Sequence, residues 1–490
     1  MRLVTIVTVA EDRLTPLVEE LTPVPDPAWC CEQLAGLPYR LFLDSASTTT
    51  RLGRYSFLTA DPFDVIERKG SSGALDDVRA RLAPFHAEPI AGLPPFQGGA
   101  AGYIAYDWGL TLERLPAPRY DDLALPDVVL GIYDWVLAWD HVASRAWLIS
   151  TGMPATAGPD RTTRARARAD DVRERLRVGL SPSNRPDQTD PVGSVLLDRP
   201  LPPSYLVEKG WWDSSFELRS SFTHRDYLVA VERVREYIFA GDIFQANLSQ
   251  RFEAPLGESP WAFYARLRRR NPAPFAAFLE TRDASVVSAS PERFLHVDRS
   301  GFVETRPVKG TRPRGVSPEH DAALGQALAE SAKDRAENLM IVDLMRNDLS
   351  RVCAPGTVRV SELFSLERYA TVHHLVSTVV GHLEPGYDAL HLLRAAFPGG
   401  SITGAPKLRA MEIIAGLEPS QRSVYCGSIG YFSVTGDLDT SIAIRTAVVR
   451  DGRVYFSAGC GIVADSDPEQ EYRETLDKAR ALIDALAVGA

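Results

Sequence analysis

From residue 221 to 486 the chain mixes runs of strand period with runs of helix period, but never in regular strand–helix–strand order. Residues 224–240 read as an amphipathic helix ending at Gly241, and 244–252 as a strand. Residues 318–349 carry a long helical pattern broken once; 422–432, 441–449 and 454–462 read as strands, and 467–486 as a terminal helix. A doubly wound sheet or an eight-stranded α/β barrel needs a crossover helix after each strand. This order instead predicts an α+β fold with large antiparallel β-sheets.

The first 155 residues are rich in short strand-like runs, at 39–43, 101–106 and 128–133, separated by Gly and Pro. Residues 161–177 change character: they are rich in Arg, Ala and Asp, with helical composition and a thin apolar stripe, and read as a solvated helix, with a docking surface as the other reading. Ser181-Pro182-Ser183-Asn184-Arg185-Pro186 follows as an exposed linker. The expected division is an N-terminal domain over 1–155, a helix and linker over 156–220, and a catalytic domain over 221–490. A chain of 490 residues, 45% hydrophobic, is long enough for a large core. Its net charge of −10 argues against a nucleic-acid role. No run of 18 apolar residues is present, so no membrane span is expected. Residues 1–10 alternate like a strand and close on Glu11 and Asp12, without a signal-peptide pattern. The five cysteines form no CxxC pair and no even framework, which fits a reduced, cytoplasmic protein.

Several residues in the C-terminal segment can carry chemistry. Lys309 sits in Arg306-Pro307-Val308-Lys309-Gly310-Thr311, ahead of two helices that each present an acid pair at i, i+3: Asp334 with Glu337, and Glu471 with Glu474. Two such faces meeting make an all-oxygen site suited to Mg²⁺; each pair alone also fits a solvated helix face with partners such as Glu474 and Lys478. Phe397-Pro398-Gly399-Gly400-Ser401-Ile402-Thr403-Gly404-Ala405-Pro406-Lys407 is a glycine-rich loop entering a helix, which suits an anion as well as a tight structural turn. It matches no phosphate-loop fingerprint. His373 and His374 offer a proton carrier or a satisfied core histidine. Arg445, in an apolar run, calls for either a substrate carboxylate or a buried protein acid. Glu292 follows an apolar strand and is an acid or base if that strand end faces the site. Cys460, between glycines, reads as a small buried residue.

Taken in order, four segments resemble the chorismate-utilising enzymes: 241–252 (GDIFQANLSQRF), Ser290-Pro291-Glu292, 337–344 (ENLMIVDL) and the loop 398–407. Within that family the chain resembles component I of the aminodeoxychorismate type. Lys309 stands where anthranilate synthases typically carry Ala, and Asn247, Gly400 to Thr403 and 425–431 look like the same type. The resemblance implies a central sandwich of antiparallel sheets with helices outside, as in anthranilate synthase component I. It implies chorismate as substrate, with 4-amino-4-deoxychorismate as product on the way to p-aminobenzoate and folate. Anthranilate synthase activity, in tryptophan biosynthesis, is the alternative. It implies Mg²⁺ held by Glu337 and Glu474 with Asp334 and Glu471 in support. It implies substrate binding by Ser401, Thr403, Gly404, Tyr425, Arg445, Gly459, Gly461 and Lys478, proton handling by Glu292 and His374, and Lys309 as the covalent nucleophile. A class I glutamine amidotransferase subunit is implied as the ammonia source. Some relatives bind tryptophan in an N-terminal pocket, here implicating Asp44, Ser45, Asn271, Pro272 and Phe275; Asp44 departs from the Glu common in feedback-inhibited relatives, so inhibition by tryptophan is not expected.

Overall fold

The computed structural model describes residues 2–6, 15–47, 52–156, 158–178, 200–208, 216–369 and 372–487. Among these, two antiparallel sheets of 14 and ten strands face each other, and eleven α-helices pack outside. The alternation of side chains along single strands builds three apolar layers. Leu41, Val129 and Val448 point between the sheets, into a core shared with Phe57, Tyr103, Val286 and Tyr431. Their chain neighbours point the other way. Phe42 and Val449 meet the helices over the larger sheet, and Val128 and Leu130 meet those over the smaller one. Strands buried on both faces are the reason so many read as continuous apolar runs rather than clean alternations. The expected α+β sandwich is the observed architecture.

Both sheets draw strands from either side of residue 155. Leu41–Asp44 pairs with Phe275–Glu280 in the larger sheet, and Gly99–Ile104 pairs with Ser428–Ser433 in the smaller. The basic helix Gly158–Val178 buries Ala165, Ala169, Val172 and Leu176 at four-, three- and four-residue spacing. Its arginines are engaged with protein acids: Arg168 with Asp134 and Asp61, and Arg173 with Glu19. The linker expected at 181–186 lies outside the described residues. No described helix is long and apolar enough to cross a membrane.

The helices that matter for the site are well signalled locally. Pro318–Glu330 and Ala332–Ser350 are the expected broken pattern; the break is Ser331, whose hydroxyl accepts from the Asp334 N–H and caps the second helix. Pro468–Leu486 starts at Asp467, which accepts from the Gln470 N–H, with Pro at the first turn. Two strand expectations are corrected. The run 441–449 is two strands in different sheets, Leu438–Ile442 and Thr446–Arg450, and Arg445 turns the corner between them at φ 53°. The run 422–432 is a strand only over Ser428–Ser433; Ser423 and Cys426, at φ 53° and 64°, bend the preceding segment into turns. The apolar pattern continues through a change of sheet in the first case and through turns in the second, neither of which periodicity can register.

Candidate active site

A cleft of about 1250 Å³ opens between the two acid-bearing helices, the strand Val308–Pro313 and the ends of Gln245–Pro255 and Arg453–Ile462. It is lined by Lys309, Glu292, His374, Ser401, Tyr425, Arg445, Gly459, Gly461 and Lys478, and by all four acids, Asp334, Glu337, Glu471 and Glu474. Residues that were nearly 200 positions apart in sequence therefore meet in one place.

Lys309 is aimed by an irregularity in its strand. Register with the strand Val372–His382 shifts between Val308 and Thr311, and Gly310 sits at φ 81°. A side chain at 310 would meet Leu328 at 2.8 Å and the Asp334 carboxylate at 2.9 Å, so glycine lets the acid helix approach. The Lys309 ammonium makes no hydrogen bond or ion pair within reach of any described residue. Burial lowers its pKa; Glu337 opposes, Lys478 adds to the lowering, and Glu292 and Glu474 oppose. His374 stands behind it. Its Nδ1 lies 2.9 Å from the Thr311 hydroxyl, and burial, with Arg445 nearby, pulls its pKa down to about 3. It is therefore neutral at pH 7 and acts as a hydrogen-bonding support rather than a cation. His373 is held at one ring nitrogen only: its Nε2 lies 2.8 Å from Asp321, and its Nδ1 is buried without a partner among the described residues.

Glu292 is 3% exposed, and burial raises its pKa to about 7 against the Ser401 hydrogen bond and the charge of Lys309. It thus titrates in the range where an acid can donate and recover a proton. Arg445 has no carboxylate within ion-pair reach among the described residues; one guanidinium N–H donates to the Lys478 carbonyl at 2.6 Å. The protein supplies no acid partner for it, which leaves the cleft-facing arginine for a ligand anion.

The four acids are not equivalent. Asp334 is paired with Arg312 at 2.9 Å. Glu474 is paired with Lys478 at 2.7 Å, and that cation holds its carboxyl down at about 2. Glu471 accepts from Ser466 at 2.7 Å with Lys333 at 3.8 Å. Glu337 has no hydrogen bond or ion pair among the described residues, and burial raises its pKa. A set of hard carboxylate oxygens with one uncommitted member fits a divalent cation such as Mg²⁺. Glu471 and Glu474 also approach Cys460, all three offering ligand atoms within 4.8 Å. Burial pushes the Cys460 thiol far above its usual value, and a soft sulfur is a poor match for a hard cation such as Mg²⁺.

A family profile described as chorismate binding enzyme matches residues 39–484. The chain belongs to the chorismate binding enzyme family. Within the family it is 42% identical over 466 residues to aminodeoxychorismate synthase component 1 of Salmonella typhimurium, covering 92% of this chain and 93% of that protein. It is 44% identical over 414 residues to anthranilate synthase component 1 of Cereibacter sphaeroides, covering 83% and 77%. The crystal structure of anthranilate synthase component I from Streptococcus pneumoniae superposes with a TM-score of 0.73 at 32% identity, covering 88% of this chain and 92% of that one.

Not every residue that the family resemblance implicates reaches the cleft. Thr403 is fully buried: its hydroxyl donates to the Gly399 carbonyl at 3.0 Å and its carbonyl accepts from the Asn247 N–H at 2.8 Å. A Cβ at Gly404 would lie 2.1 Å from the Gln245 carbonyl. Both stitch the glycine loop to the neighbouring strand and are absent from the cleft lining. The loop lines the cleft through Ser401 and Ile402 of the short 3₁₀ turn Gly400–Ile402, not through the start of helix Lys407–Leu417, where Lys407 is tied to Asp348 at 2.6 Å. Asp44, Ser45 and Phe275 do line a separate cavity of about 180 Å³, whereas Asn271 lines the main cleft and Pro272 neither. In that cavity Asp44 is engaged by Arg268 and by the Tyr264 hydroxyl at 2.9 Å.

Sequence reasoning missed Gln245. Its carboxamide lies across Gly461, where a Cβ would stand 2.0 Å from its Nε2 and 3.4 Å from the Lys309 Nζ. Its Oε1 is buried without a hydrogen-bond partner, beside the lysine. The only local signal is a polar residue opening an otherwise buried strand.

Proposed function

We propose that this protein is component I of an aminodeoxychorismate synthase, converting chorismate and ammonia to 4-amino-4-deoxychorismate and water. The observation that supports this most is the uncommitted Lys309 amine in the cleft, its pKa lowered by burial, between Glu292 and the acid helices. A neutral Lys309 attacks ring C2. The ring's two conjugated double bonds carry the electron pair to C4, and the C4 hydroxyl leaves as water on taking the Glu292 proton. Ammonia then adds at C4, the double bonds shift back, the C2–N bond breaks to return the neutral lysine, and the surplus proton on the new C4 amine goes back to the Glu292 carboxylate. Arg445 and Tyr425 hold the side-chain carboxylate, with Ser401 as a further donor. Glu337 and Glu474, with Asp334 and Glu471 around them, would hold Mg²⁺, which when bound neutralises the ring carboxylate.

All five cysteines are buried, and burial pushes each thiol up, so none offers the thiolate that glutamine hydrolysis needs. A glutamine amidotransferase subunit is the proposed source of ammonia. The purified chain is expected to work with ammonium and to turn over glutamine only when such a subunit is added; glutamine-dependent turnover by this chain alone would refute the partner.

The test of the reaction is a product assay with chorismate, Mg²⁺ and ammonium, read by mass spectrometry and fluorescence. The expected product retains the enolpyruvyl group and does not fluoresce as anthranilate. Release of pyruvate with a fluorescent ortho-amino acid would make the chain an anthranilate synthase instead.

A further inference from the structure

Beneath the cleft, out of contact with it, lies a buried ion pair that touches four separate segments of chain. Arg422 and Glu418 have side chains 2% and 4% exposed. The Arg422 guanidinium donates twice to Glu418, at 2.8 and 2.7 Å, and once each to the carbonyls of Ile402 at 2.9 Å and Asn247 at 2.5 Å. Its flat face lies 4.6 Å from the Tyr106 ring centroid and 5.9 Å from that of Tyr425. Glu418 in turn accepts from the Ser249 N–H and hydroxyl, both at 2.8 Å.

We propose that Arg422, oriented by Glu418, is a positioning residue for the cleft wall made by Asn247, Ser401 and Tyr425. Each of those groups is one short covalent step from something the guanidinium holds. Asn247 gives its own carbonyl, and Ser401 precedes Ile402. Tyr425 lies against the guanidinium and closes the turn through its N–H to the Arg422 carbonyl at 3.1 Å. A planar fork with five N–H donors can hold an acid and two carbonyls at once; a lysine ammonium at the end of a flexible stem cannot reproduce that geometry. The wall meets the substrate carboxylate in ground state and transition state alike. Loosening it therefore weakens binding more than it slows chemistry.

This inference rests on reading the cleft as the chorismate site, not on which product forms, so its assay follows chorismate disappearance with ammonium and Mg²⁺. If the native protein consumes no chorismate, it is the reading of the site that fails. For Arg422→Lys, which keeps a cation beside Glu418, the KM for chorismate is expected to rise about tenfold or more while kcat changes less than about threefold. An unchanged KM, with the loss confined to kcat or to thermal stability, would show a merely structural prop and overturn the proposal. Should that variant not be recovered folded, Ser249→Ala loosens the same link from the far side of Glu418. It is expected to raise KM about two- to fivefold, and an unchanged KM there overturns the proposal as well.

Discussion

Lys309→Ala is expected to lose 4-amino-4-deoxychorismate formation by about 10³-fold or more while keeping its fold and its affinity for chorismate. The size follows from removing a nucleophile, not a contact: on the order of 4 kcal/mol of transition-state stabilisation disappears with the covalent route. Folding should survive because the ammonium holds no protein partner in the native state. The pH dependence has a definite sign. Lys309 must be neutral, so activity rises with pH through a value that burial sets below the ordinary lysine value of about 10.4. Glu292 must be protonated, so activity falls as it ionises around 7. The product of the two is a bell whose limbs belong to the pair. Glu292→Gln, fixed in the uncharged form, should leave a weaker activity without the falling alkaline limb. A falling limb that survives in Glu292→Gln would remove Glu292 from the proton balance. Kinetics of the purified variants over a pH series measure all of this.

Glu337→Gln is the second large effect. Among the four acids only Glu337 has no cation in ion-pair contact among the described residues, so its carboxylate is the one most available to a metal. The substitution is expected to weaken Mg²⁺ binding at least about tenfold by calorimetry. Turnover at fixed Mg²⁺ should fall on the order of 10²- to 10³-fold, the scale of several kcal/mol attributed to a cation on developing charge. Asp334→Asn should cost far less, because Arg312 already neutralises that carboxylate in the native structure. Equal losses in the two variants would mean that the acids act only through the summed charge of the cleft.

Much of this was legible in the chain because it is local. An i, i+3 acid pair is a property of four consecutive residues, and the Ser331 and Asp467 caps mark where each acid helix begins. The antiparallel α+β architecture followed from element order alone. What was hidden depends on distant parts of the chain. Arg445 reads as mid-strand until the chain is seen to change sheets there, and its left-handed backbone is what turns it into the cleft. Gln245 becomes notable only through its side chain lying over Gly461, which pairs with Asn247 on the adjacent strand, and Arg422 only through carbonyls 20 and 175 residues away. Thr403 and Gly404 differ in the opposite direction: the structure places them off the cleft lining, pinning the loop to the strand Gln245–Pro255. Asn271 and Pro272 were implicated in the small cavity through the family resemblance of the segment 271–275, of which Pro274 and Phe275 line that cavity while Asn271 lines the cleft.

The central claim is that Lys309 becomes covalently bonded to the substrate ring. Incubating the protein with chorismate and Mg²⁺ without ammonia, quenching in acid and mapping peptides by mass spectrometry tests it directly. The account predicts an adduct of chorismate minus water on the peptide that carries Lys309, discharged when ammonium is added before the quench and absent from Lys309→Ala. Full para-amination by a protein that never shows the adduct, or by Lys309→Ala itself, would contradict it.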